Sequence, residues 1–155
     1  MRFLIAILLC AAAICAEAQD LTGAWVSGPE DNQIVVIVSG QYFTAAVYNK
    51  KTGAYIGTCG GKWRIEKDEF VETHEFNTMK PEWIGTELRS KYSLKDKTLL
   101  FTTPEKTETF QKIDDGKPGQ LAGAWLITGR MSDSGMRKMV PGARKTMKVL
   151  SRTRF

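Results

Sequence analysis

At 155 residues and a net charge of +5 the chain is basic overall, but the charge is divided unevenly. Residues 1 to 18 sum to zero, residues 19 to 120 carry 13 basic and 15 acidic groups for a net of −2, and residues 121 to 155 carry eight basic groups against Asp133 alone, a net of +7. This division excludes a basic surface spread over the whole molecule, and three cysteines, two of them within the first fifteen residues, exclude a disulfide framework.

The N-terminus combines a charged start at Arg2, an apolar run from Phe3 to Ile14 and the A-x-A sequence Ala16-Glu17-Ala18. That pattern matches a secretory signal peptide cleaved after Ala18. The apolar run falls short of the roughly 20 residues that a spanning helix needs. The expected product is therefore secreted or periplasmic, without a transmembrane span. Lipid attachment at Cys10 or Cys15 is disfavoured, because bulky Leu9 and Ile14 precede them where processing requires a small residue. Cleavage leaves Cys59 alone, in Gly57-Thr58-Cys59-Gly60-Gly61, with neither a second cysteine nor a nearby histidine to make a metal or nucleophile spacing. It reads as a small buried hydrophobe in a glycine-rich bend.

From Gly23 onward the chain breaks into eight short runs rich in β-branched and aromatic residues, separated by turn-formers. The runs are Gly23 to Ser27, Gln33 to Val38, Tyr42 to Tyr48, Tyr55 to Glu66, Phe70 to Asn77, Ile84 to Leu94, Thr98 to Thr102 and Thr107 to Ile113. No interval has room for a crossover helix, so consecutive strands are expected to pair antiparallel. The predicted fold is all-β, a small eight-stranded antiparallel up-and-down barrel whose closure removes exposed edges.

Alternation assigns the faces. In the sixth run Thr86, Leu88, Ser90, Tyr92 and Leu94 oppose Glu87, Arg89 and Lys91, which predicts that the first set faces inward. In the third run Tyr42, Thr44, Ala46 and Tyr48 oppose Phe43, Ala45 and Val47, and neither row is charged. In the fifth, Phe70, Glu72, His74 and Phe76 share one face. The second run, Gln33 to Val38, is apolar on both sides and calls for cover on both, from the C-terminal segment or from a partner.

Gly23-x-Trp25 ahead of a strand meander resembles the opening signature of the lipocalin and calycin group. The resemblance implies a tryptophan that closes one end of the barrel under a basic residue from the last strand. Lys112 stands here where those proteins usually place arginine. Leu21-Thr22-Gly23-Ala24-Trp25 recurs as Leu121-Ala122-Gly123-Ala124-Trp125. Together with Ile56-Gly57-Thr58-Cys59-Gly60-Gly61 and with Arg144 to Phe155, the repeat resembles uncharacterised bacterial secreted proteins with duplicated lipocalin-like units. The likeness covers nearly all of the mature chain and implies fold and compartment, but no activity. Cys59 and Arg152 depart from it, standing where glycine is more usual.

Aligning the two tryptophans leaves Ile34 to Phe43 opposite Thr146 to Phe155, provided twelve residues are inserted after Trp125. Gly135, Pro141 and Gly142 mark that insertion as loop. The expected organisation is a signal peptide over 1–18, a lipocalin-like barrel over 19–116 and the incomplete start of a second repeat over 117–155.

No nucleophile positioned by a third residue, no paired carboxylates and no metal cluster can be read from the sequence, so neither catalysis nor a cofactor is expected. His74 and Glu72 form the one acid/base pair, projecting from one face of a strand. Tyr42, Tyr48, His74, Ser90 and Tyr92 are the polar candidates for the barrel interior. Trp25 and Trp125 read as structural plugs, and Trp83 as either a gate at a strand mouth or a loop-packing residue. The expected function is a secreted or periplasmic module that binds a small apolar or amphipathic ligand. The alternative is a filled barrel whose residues 121–155 recruit a protein partner or an anionic envelope surface. Export makes nucleic acid an improbable partner for that basic arm.

Overall fold

The computed structural model describes residues 20–114, 119–139 and 147–154. The predicted signal peptide, Pro141, Gly142, Thr146 and Phe155 lie outside the described residues. Eight strands close into one barrel in chain order: β1 (Gly23–Ser27), β2 (Gln33–Ser39), β3 (Tyr42–Tyr48), β4 (Tyr55–Glu66), β5 (Glu69–Asn77), β6 (Glu87–Lys95), β7 (Thr98–Thr102) and β8 (Thr107–Lys112). Every neighbouring pair is antiparallel, and β1 returns to β8 through Trp25 opposite Lys112 and Val26 opposite Gln111. Among the described residues no helix is long and apolar enough to cross a membrane.

Turn chemistry explains the tight connections. Lys67 and Asp68 both adopt positive φ, 50° and 64°, in the two-residue link between β4 and β5, as a turn matched to strand twist requires. The sixth strand begins at Glu87 rather than Ile84. Pro81–Trp83 forms a 3-10 turn and Gly85 takes a φ of 82°, so the chain has not yet straightened at Ile84, which makes only an isolated parallel bridge to His74.

The core is one cluster of Leu21, Trp25, Val38, Phe43, Phe70, Leu99 and Phe110. Trp25 is wholly buried at its edge, and its indole N–H donates to the Leu21 carbonyl over 2.9 Å. Lys112 Nζ stands 5.0 Å from the centre of the Trp25 ring, close enough for a cation–π contact. The basic residue of the last strand thus lies over the tryptophan of the first.

The double-sided apolar character of β2 also has its cover. Ile34, Val36 and Val38 face the interior, while Val35 and Ile37 face outward beneath the C-terminal segment. There β9 (Gly123–Leu126) pairs with β12 (Met147–Leu150), and β12 lies against β2 and β3. Arg154 reaches the same outer surface, beside Val35, Ile37 and Tyr48. Asp114, buried at the end of the barrel, fastens this segment by accepting from the Thr153 backbone N–H at 3.1 Å and from its hydroxyl at 3.2 Å.

The two Leu-x-Gly-Ala-Trp segments share their geometry. Trp125 donates to the Leu121 carbonyl over 2.9 Å, and Gly123 has a φ of 146° where Gly23 has 129°. Gly123 pairs with Leu150 and Trp125 with Lys148, as Gly23 pairs with Val38 and Trp25 with Val36. This is the register that the tryptophan alignment predicts. The inserted residues differ from expectation: instead of loop alone, β10 (Gly129–Ser132) and β11 (Gly135–Lys138) form a hairpin around Gly135.

Candidate functional site

The barrel holds an open cavity of about 790 Å³, within the range of roughly 300–1,000 Å³ typical of small-molecule sites. Val36, Val38, Phe43 and Ala45 form one apolar wall, with Phe101 and Phe110 among the residues across from them. Glu72, His74 and Ser90 are among the polar residues that line it, together with the charged Lys80, Arg89, Glu105, Lys106 and Glu108, and Trp83 lines it as well.

A β-bulge sets the surroundings of His74. Gly60 pairs with Phe76 and Gly61 with His74, so Glu75 is an extra residue in β5 and the alternation changes parity there. His74 is 2% exposed and faces in; Phe76, predicted to share that face, is turned out and 41% exposed; Asn77 takes the inward place and is buried. Gly61 permits the bulge because a Cβ at that position would run into the Thr73 carbonyl and come within 2.7 Å of the Glu75 nitrogen.

The bulge sets Asn77 against the imidazole. Asn77 Oδ1 accepts from the backbone N–H groups of Met79 at 2.9 Å and Lys80 at 2.7 Å, which fixes the amide orientation. Its Nδ2 must then be the donor toward His74 Nδ1, 3.1 Å away. Nδ1 accepts, so the ring proton belongs on Nε2 by the logic of the network. Phe43 and Trp83 hold the ring edge-on, at centroid distances of 5.5 and 5.7 Å. Nε2 points toward Glu72 Oε1 at 3.4 Å, in a geometry that makes no hydrogen bond, and it has no other partner.

A second buried donor is left in the same condition. Trp63, stacked on Phe70 at 5.3 Å, lies opposite Glu72 in the β4–β5 register, and its Nε1 has no acceptor. Buried polar groups without partners are uncommon and costly.

Of the five sequence candidates, His74 and Ser90 line the cavity. Tyr92 faces inward but packs against the core cluster. Tyr42 and Tyr48 lie on the opposite side of β3. The row Phe43, Ala45 and Val47 pairs with Val38, Val36 and Ile34 and fills the interior, while the Tyr48 hydroxyl bonds Gln33 Oε1 at 3.0 Å. With no charge on either row of β3, alternation had nothing to choose the face by. Sequence reasoning missed Asn77. Gly60-Gly61 was the one available signal, since paired glycines within a strand suggest a bulge.

Cys59 is half-buried within β4 rather than in a bend, and it reaches the cavity wall. Burial, and secondarily the charge of Glu72, pushes its thiol up to about 11. A thiol so shifted is a poor nucleophile at neutral pH. Among the described residues no group of three or more His, Cys, Asp or Glu side chains is placed to hold a metal ion.

No family model matches the sequence, and no curated protein does. A crystal structure of an uncharacterized protein from Bacteroides eggerthii is similar to this chain at 18% identity, covering 60% of this chain and 99% of that one with a TM-score of 0.45.

Proposed function

We propose that this chain is an exported binding module that holds a small apolar or amphipathic ligand inside its barrel without altering it chemically. The observation that carries this reading is a largely apolar cavity of about 790 Å³ lined by a buried imidazole whose N–H has no hydrogen-bond partner. Desolvation of the ligand drives entry, and that N–H fixes its orientation. Catalysis is not part of the proposal, because the one thiol beside the His74–Glu72 pair is held protonated. Export rests on the signal-peptide pattern of residues 1–18, with maturation after Ala18. The repeated Trp-to-Leu hydrogen bond and strand register favour a lipocalin-like barrel followed by the opening strands of a second such unit. Native mass spectrometry of the protein exported in its source host is expected to reveal a co-purifying small molecule. A mass equal to the bare polypeptide under several growth conditions overturns the reading.

One feature favours a second reading for the arm, contact with an anionic envelope surface. In the β10–β11 hairpin Arg130 stands directly opposite Arg137, while Met131 and Met136 pair alongside and are 73% and 61% exposed. Like charges directly opposite one another destabilise a hairpin in water, and an anionic surface relieves that repulsion. Vesicles containing phosphatidylglycerol are expected to bind the full chain. Binding that survives deletion of residues 121 to 155 removes the arm from that role.

A further inference from the structure

We propose that the cavity selects ligands whose polar end is an uncharged hydroxyl, received where the Nε2–H of His74 and the carboxylate of Glu72 converge. The inference rests on the ligand-binding reading and adds the chemistry of the head group. Asn77 fixes the His74 tautomer, so Nε2 offers a hydrogen and cannot accept one. Glu72, as a carboxylate, offers only acceptors. A hydroxyl accepts and donates at one atom, and so answers both kinds of group.

Charged head groups each leave part of this site unsatisfied. A ligand carboxylate would accept from His74 but would meet the like charge of Glu72, which approaches Nε2 to 3.4 Å. Nor do the cations around the cavity offer it a free partner. Lys106 is bound to Glu108 at 2.6 Å, Arg89 is engaged by Glu66, Glu69 and Glu87, and Lys80 lies 4.0 Å over the Trp83 ring. An ammonium would pair with Glu72 but would face the His74 N–H with hydrogens of its own, leaving that donor without an acceptor. The apolar wall of Val36, Val38, Phe43 and Ala45 accepts the hydrocarbon part of any of these ligands alike. Discrimination therefore falls to the head group.

Calorimetric titration of the full chain with dodecan-1-ol, dodecanoate and dodecylammonium at neutral pH, below their micellar concentrations, tests this with the chain length held constant. The alcohol is expected to bind at least about tenfold more tightly than either charged analogue, the scale of one charge-assisted hydrogen bond. Glu72→Gln, an isosteric change checked by its circular dichroism melt, is expected to narrow the preference for the alcohol over dodecanoate by about tenfold or more, since the alcohol loses a charged acceptor and the carboxylate loses a like charge. Dodecanoate or dodecylammonium binding the unmodified chain as tightly as the alcohol overturns the head-group assignment and leaves the cavity a ligand site. Failure of all three chains to bind overturns the ligand-binding reading itself, and this inference with it.

Discussion

Trp25 and Trp125 each donate an indole N–H to the carbonyl four residues earlier over 2.9 Å, yet Trp25 is wholly buried and Trp125 is 52% exposed. The shared bond belongs to the local sequence. The difference in burial belongs to what surrounds it: Lys112 and the core enclose the first ring, and among the described residues no strand plays that part for the second. Trp25→Ala is expected to cost about 3–5 kcal/mol in urea unfolding, as for other buried aromatic truncations. Trp125→Ala is expected to cost less than about 1 kcal/mol. Equal losses would mean that the second segment is packed far more tightly than its exposure indicates.

The Asn77–His74 contact is open to direct observation, because the chain has one histidine. Long-range proton–nitrogen spectra of the neutral ring are expected to show the Nε2–H tautomer. In Asn77→Ala the Nδ1 acceptor loses its donor, and the Nδ1–H form should grow to a comparable population. A dominant Nδ1–H form in the unmodified chain would contradict the network assigned to Asn77.

Cys59 gives a pH signature. Its thiol is raised from an ordinary 9.0 to about 11, chiefly by burial, so the folded state favours the protonated form and thiolate appears only as pH climbs through the raised value. At pH 8 alkylation by iodoacetamide is expected to run about a hundredfold slower than in the urea-unfolded chain. The folded rate should keep rising tenfold per pH unit beyond pH 9, where the unfolded rate levels off.

Asp114 holds the C-terminal strand to the barrel through Thr153. Asp114→Ala removes both bonds, each roughly in the 1.5–3 kcal/mol class of hydrogen bonds to charged groups. Trypsin cleavage after Arg152 is expected to accelerate at least about tenfold, since opening of the segment is then less costly. Binding of a hydrophobic dye should rise as Val35 and Ile37 lose their cover. An unchanged cleavage rate would show that β12 is held by packing alone.

Much of this architecture is legible in the residues. Eight runs of alternating character became eight strands because turn-formers punctuate them, and in β6 the charged row Glu87, Arg89 and Lys91 left no doubt about which side faces water. Aligning the repeated Leu-x-Gly-Ala-Trp sets Val36 against Lys148 and Val38 against Leu150, and Trp125 and Gly123 pair with those two residues as Trp25 and Gly23 pair with theirs. The reading failed where the physics is cooperative. On β3 both rows are uncharged, and only the barrel as a whole determines that Phe43 rather than Tyr42 goes inside. On β5 strict alternation held to His74 and then broke, because a bulge is a property of two strands and no single-strand period contains it. The candidate site was legible in His74 and Ser90 and hidden in Asn77 for that reason.

Glu75 contributes no side chain to the cavity, yet how the chain accommodates it determines what the cavity contains. Were β5 to run through Glu75 without the bulge, strict alternation would bring the aromatic at 76 into the barrel and turn the asparagine at 77 out. Removing Glu75 does neither: with His74 inward, the next residue falls outward and the one after it inward, so both side chains keep the places they have now. A one-codon deletion there is thus silent for the lining of the barrel, whereas a point change at Gly61 that forbids the bulge would rewrite that lining with every codon of β5 untouched.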